Sequence, residues 1–200
     1  MNRVGFWSAL SVVCAGAIYF IFLAAGMATA GLNAPIVDPL LFVMELLTFL
    51  SAPLLVVTMA ALHCWTTTNC KIYSLIAVIF MTLMAGVTMS VHFVELTALR
   101  QMGSGGLSWP SVPYALELLA WDIFLGLSML FSAPVFAKTG LESWVRAGML
   151  SVGVLCIAGS SGPMFGDMRF QLIAVVAYAV GLPIVFSLLA IHFWRALRSS

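Results

Sequence analysis

The reading of the chain turns on Ile72–Leu99, IYSLIAVIFMTLMAGVTMSVHFVELTAL. From Ile72 to Val91 it carries no charge at all, which meets the roughly 20 apolar residues that a bilayer-spanning helix needs. Its last third then breaks the pattern with His92 and Glu95, and Arg100 follows at once. Apolar length and late polar residues together predict a membrane helix with chemistry near one end.

Five further windows repeat the apolar length. The predicted spans are Gly5–Ala28, Leu40–Leu62, Ile72–Leu99, Val112–Ala137, Val145–Ser160 and Leu172–Trp194. The expected fold is an all-α integral membrane protein, a single domain over residues 1–200 built as a bundle of six transmembrane helices. Composition agrees: 63% of residues are hydrophobic, 8% are charged, and mean hydropathy is +1.14. Soluble domains carry about 25% charged residues, so lipid has to solvate most of this exterior. The fifth window is the shortest and ends in Gly159-Ser160-Ser161-Gly162-Pro163, a run of turn formers. The first, from Val4 to about Ala30, is longer than a signal-peptide core of roughly 7–15 residues and reads as a retained anchor.

Lysine and arginine set the orientation. With a cytoplasmic amino terminus, the inner side holds Arg3, Lys71, Lys138, Arg146, Arg195 and Arg198, and the outer side only Arg100 and Arg169. Both termini are therefore expected in the cytoplasm, with a bacterial inner membrane as the setting. A net charge of +1 and no basic stripe exclude nucleic acid as a partner. Cys14, Cys64, Cys70 and Cys156 show neither a CxxC pair nor a zinc spacing. No Walker loop, nucleophile elbow or HExxH is present.

The polar residues within the spans gather toward the outer side, where ionisable groups are costly and therefore informative. Glu45, His92, Glu95, Glu117 and Asp122 fall there, with Arg100 at the boundary. Four acids share this layer with no lysine or arginine at their depth. Only Arg100 and Arg169 are placed to bend back toward them. Such carboxylates stay protonated, pair with a cation, or line a wet cavity. Thr88, His92 and Glu95 fall at i, i+4 and i+7 on one helix face. His92 and Glu95 match the spacing of Glu-x-x-His metal pairs, which makes a metal one candidate cofactor, and a proton relay needs the same groups. A histidine bonded to its own helix neighbour is the plain alternative.

On the fourth span Glu117 and Trp121 lie one turn apart, while Asp122 is about 140° around from Glu117. Trp121 beside Glu117 suits an organic cation or a flat apolar ligand, or is ordinary packing. A faint repeat links Pro39 … Glu45-Leu46-Leu47 … Ser51-Ala52-Pro53 with Pro113 … Glu117-Leu118-Leu119 … Ser132-Ala133-Pro134, although leucine-rich spans resemble one another by chance. Ser160–Arg169 reads as a lid or as a plain connection with Asp167 as a helix cap.

The functional expectation is an acidic, outward-facing intramembrane cavity that binds or transports a proton, a cation or a small amphipathic ligand. Its candidate residues are Glu45, Thr88, His92, Glu95, Arg100, Glu117, Trp121 and Asp122. One alternative is an intramembrane enzyme acting on a lipid or quinone-like substrate through His92 and Glu95 with Glu117 or Asp122. Another is an accessory subunit of a larger membrane complex. Expected partners are the lipid bilayer, the ligand, and further copies of the chain or other membrane subunits.

Overall fold

The computed structural model describes residues 1–31, 36–103 and 109–198. Six helices in it are long and apolar enough to cross a membrane, which fits a multi-pass membrane protein. They are α1 (Asn2–Ala30), α2 (Leu40–Trp65), α3 (Thr68–Leu99), α4 (Val112–Val135), α5 (Gly140–Phe165) and α6 (Leu172–Arg198). No strand occurs among the described residues. In hydrocarbon every backbone amide has to be satisfied within its own segment, and a run of helices does this.

Each helix packs against the next, and α6 returns to α1, so the bundle closes as a ring. Asn2 Nδ2 donates to the carbonyl of Ala196 at 3.3 Å, which puts the two chain ends at the same end of the bundle. The basic residues Arg3, Lys71, Lys138, Arg146, Arg195 and Arg198 belong to this end. Lys71 Nζ donates to the His63 carbonyl at 2.6 Å, and Arg146 to the Phe136 carbonyl at 3.3 Å. Both cations thus meet carbonyls near helix C-termini, where positive charge is favoured.

The interior at this end is filled. Trp65 stacks on Phe136 with ring centroids 5.9 Å apart, and His192 meets Trp65 edge-on at 4.4 Å. Phe136, Phe186 and Phe193 are among the largest fully buried side chains, with Leu55, Met59, Met81, Met129 and Met149 behind them. Phe193 presses so closely on α1 that a Cβ at Gly5 would lie 2.7 Å from its ring. The opposite half of the bundle is looser and more polar.

The fifth span starts before the predicted Val145, at Gly140. Its regular helix ends at Gly159, and after a turn at Ser160 a short helix, Ser161–Phe165, continues the span. The glycines serve packing there: a Cβ at Gly159 would lie 2.3 Å from Ala174 Cβ, and one at Gly162 would lie 2.6 Å from Gln171 N. Close backbone approach of this kind is what small residues allow between membrane helices. The span as a whole stops at Gly166, whose φ of 74° is the left-handed conformation that glycine takes readily.

Three helices contain a π turn: Glu95–Leu99 in α3, Leu119–Phe124 in α4 and Ala177–Gly181 in α6. The last directly precedes Pro183, which has no N–H to offer the carbonyl four residues back. A π turn absorbs such a mismatch without breaking the helix. All three lie in the polar half, and π turns concentrate at functional sites.

Candidate functional site

His92 is the hub. Helix α3 presents it between α2 and α4, 6% exposed. Its Nε2 lies 3.1 Å from Glu117 Oε1, and its Nδ1 lies 3.7 Å from Glu45 Oε2. The first distance is a hydrogen bond and the second exceeds one. Trp121 Nε1 donates to the same Glu117 Oε1 at 2.5 Å. Glu117 therefore holds two donors from two helices. Its Oε2, His92 Nδ1 and Glu45 Oε2 are buried without hydrogen-bond partners. Glu45 and Glu117 come from the two Glu-Leu-Leu triplets, and the fold sets them against opposite nitrogens of one ring.

His92, Glu117 and Trp121 form part of the wall of a cavity of about 360 Å³, and Glu45 stays outside that wall. The remaining wall comes from α1, α2, α4 and α6, with Gly16, Thr48, Ser51 and Ala179 leaving room. Five aromatic side chains surround it: Tyr19, Phe20, Tyr114, Trp121 and Tyr178. The Trp121 and Tyr178 rings are 5.4 Å apart. Among the lining residues only Phe20 is exposed, which places the mouth beside α1. The volume falls within the roughly 300–1,000 Å³ of small-molecule sites, and a mostly apolar wall with few polar groups is their usual character.

Other candidate residues stand apart from the cavity. Thr88 is fully buried, and its hydroxyl reaches Met84 Sδ at 3.6 Å. Glu95 opens the first π turn, 4% exposed, near Glu45 and Arg100 but not in the cavity wall. Asp122 is fully buried and is not in the cavity wall, with Gln171 of α6 nearby. Among the described residues, no set of three histidine, cysteine or acidic side chains is arranged to hold a metal ion. The ring nitrogens of His92 face Glu117 and Glu45, on neighbouring helices, and Glu95 forms no contact with them within ion-pair distance.

Neither Arg100 nor Arg169 bends back to the buried acids. Arg100 pairs with Asp38 at the start of α2 and lies over the Phe42 ring, 4.7 Å from its centroid. Asp38, one residue before the N-cap Pro39, also accepts from Phe42 N at 3.1 Å through Oδ1, so it satisfies a first-turn amide of α2 and pins α3 to that helix. Arg169 pairs with Asp167 two residues earlier, an exposed contact that holds the Asp167 carboxyl below its ordinary range. Asp167 thus shapes the α5–α6 turn rather than capping α6, which begins at Leu172.

Tyr19, Tyr178 and Gln171 were not legible as site residues. Tyr178 Oη accepts from Gln171 Nε2 at 3.0 Å. The available signal was that three of the four tyrosines, Tyr19, Tyr114 and Tyr178, fall in the polar half of predicted spans. Comparison with protein-family models, curated proteins and solved structures returns no match, so the chemistry of the site alone carries the functional reading.

Proposed function

We propose that this chain is a multi-pass membrane protein whose cavity opens outward and binds, or carries across the bilayer, a small amphipathic molecule bearing a positive group. Both termini are placed in the cytoplasm on the strength of the lysine and arginine bias. The observation that carries the reading is the composition of the cavity wall. Five aromatic rings line the cavity around the Glu117 carboxylate, which meets His92 and Trp121 through one oxygen. Ring faces attract cations, most strongly where water is excluded, and Glu117 supplies the counter-charge. The apolar remainder suits the body of an amphipathic ligand.

Benzyltrimethylammonium, titrated by calorimetry into protein in mild detergent, tests this directly. It is expected to bind, and Glu117→Gln is expected to weaken it by about tenfold, the equivalent of about 1.4 kcal/mol and of one charge-assisted contact. Equal affinity for an uncharged isostere with carbon in place of nitrogen would overturn the cationic preference.

One observation favours a second reading. A histidine set between two carboxylates is an arrangement used in general acid–base catalysis, which fits an intramembrane enzyme acting on a lipid or quinone-like substrate. Chemical conversion of such a molecule, lost in His92→Ala, would favour enzyme over carrier.

A further inference from the structure

Asp122 is fully buried, neither carboxylate oxygen has a partner at full hydrogen-bond geometry, and the Gln171 amide interacts with it more weakly. No lysine, arginine or histidine among the described residues pairs with it. It does not line the cavity, so cavity water does not solvate it there. A carboxylate in such a place is strongly disfavoured as an ion and accommodated as a neutral acid.

Its surroundings nevertheless adjoin the cavity. Trp121 and Asp122 are consecutive in the π turn Leu119–Phe124, and only Trp121 reaches the cavity wall. Gln171 lies beside Asp122 and donates to Tyr178 Oη, while the Tyr178 ring lines the cavity and packs on Trp121. The groups that interact with Asp122 are Tyr114 on its own helix, Cys156 on α5, and Gln171 and Tyr178 on α6. Helix α3 also packs on this turn and contributes no titratable group that interacts with Asp122. All these neighbours are neutral in their ordinary forms. The Asp122 site therefore has room for one unit of negative charge only when a positive charge arrives nearby.

We infer that Asp122 is a proton-binding site coupled to the cavity, protonated while the cavity is empty and ionised when a cation occupies it. The inference rests on the cationic reading of the cavity given above. In the exchange the O–H bond of the Asp122 carboxylic acid breaks, its electron pair stays on the carboxylate, and the proton passes to water. The ligand brings one positive charge as the proton removes one. Charges interact more strongly in a water-excluded interior than in water, which allows the cation to act across the Trp121 and Tyr178 rings. One cation is thus exchanged for one proton, with Asp122 as the proton's site and Glu117 as the cation's.

Calorimetric titration of benzyltrimethylammonium in two buffers of different protonation enthalpy counts the protons released. About one proton per bound cation is expected for the wild type, and close to none for Asp122→Asn, whose affinity should lose its dependence on pH. Binding to the wild type without proton release overturns the coupling and leaves the cavity reading standing. Release that persists undiminished in Asp122→Asn moves the exchange to the His92 cluster and also overturns it. No binding to the wild type refutes the cavity reading and the coupling with it. Infrared difference spectra of the wild type need no variant, which covers a failure of Asp122→Asn to fold. Addition of the cation should remove a protonated-carboxyl C=O band, and an unchanged band overturns the inference.

Discussion

Gly159→Ala puts the packing that frames the site under the sharpest strain. The added Cβ would lie 2.3 Å from Ala174 Cβ, 2.7 Å from Ala174 N and 3.0 Å from Ala174 Cα. Two of these atoms belong to the backbone of α6 and cannot rotate away. Ordinary carbon contacts begin near 3.5 Å, so α5 and α6 have to part by roughly 1 Å. Overpacking of this kind costs about 1–3 kcal/mol. Gly86 provides the control: it is exposed, and an added Cβ there meets nothing within 4 Å. Gly86→Ala should be neutral or stabilise by up to about 1 kcal/mol, because alanine is the better helix former. Unfolding of the two variants and the wild type in one detergent measures the difference. Gly159→Ala should also weaken ligand binding, since Gln171 lies at the same α5–α6 seam. A Gly159→Ala protein as stable as Gly86→Ala would refute the close approach of these helices.

Other outcomes follow from the same contacts. Glu117→Ala leaves Trp121 Nε1 and His92 without their acceptor, whereas Glu117→Gln keeps one, so the alanine variant should be less stable by about 1–3 kcal/mol in the same unfolding assay. Asp38→Ala removes the acceptor of a first-turn amide of α2 and should cost about 0.5–2 kcal/mol. Arg100→Ala breaks only the partly exposed pair and its cation–π contact, and should cost under about 1 kcal/mol. The Asp167 carboxyl, held below its ordinary 3.8 by Arg169, should contribute to the turn above that value and lose the contribution as pH falls through its lower folded value. Arg169→Ala should return the Asp167 titration, followed by NMR, to the ordinary carboxylate range.

The helices were legible because a long apolar run that has to satisfy its own amides becomes a helix. Where turn formers occur, at Gly159–Pro163, the regular helix does end, and what the sequence did not show is the short helix Ser161–Phe165 that continues the span. The glycines there meet α6 closely, which no local pattern reveals. The acids of the polar half were equally legible, since charge in an apolar span stands out. Their partners were not. Arg169 meets Asp167 within its own turn, but Arg100 meets Asp38 from a distant part of the chain, and the sequence had left both arginines to the buried acids.

The site itself depends on register. That Glu45 and Glu117 approach opposite nitrogens of His92 shows in the sequence only as a repeated Glu-Leu-Leu. A regular helical period does separate Asp122 from the Glu117 face, yet it gives no hint of the π turns that carry Trp121, Asp122 and Tyr178. Tyr19 and Gln171 carry no charge, and each stands between apolar neighbours (Ile18 and Phe20, Phe170 and Leu172), so little marked them beyond the position of Tyr19 in the polar half. They become site residues only when α1 and α6 close the ring.

The most direct test is a structure of the protein with a bromine-labelled benzyltrimethylammonium bound, the bromine located by its anomalous signal. The expected position of the label is inside the cavity, with the ammonium group toward Glu117 among Tyr19, Tyr114, Trp121 and Tyr178. A label found only in the surface groove beside Trp7, Cys14 and Leu54, with the cavity empty, would contradict the proposed function.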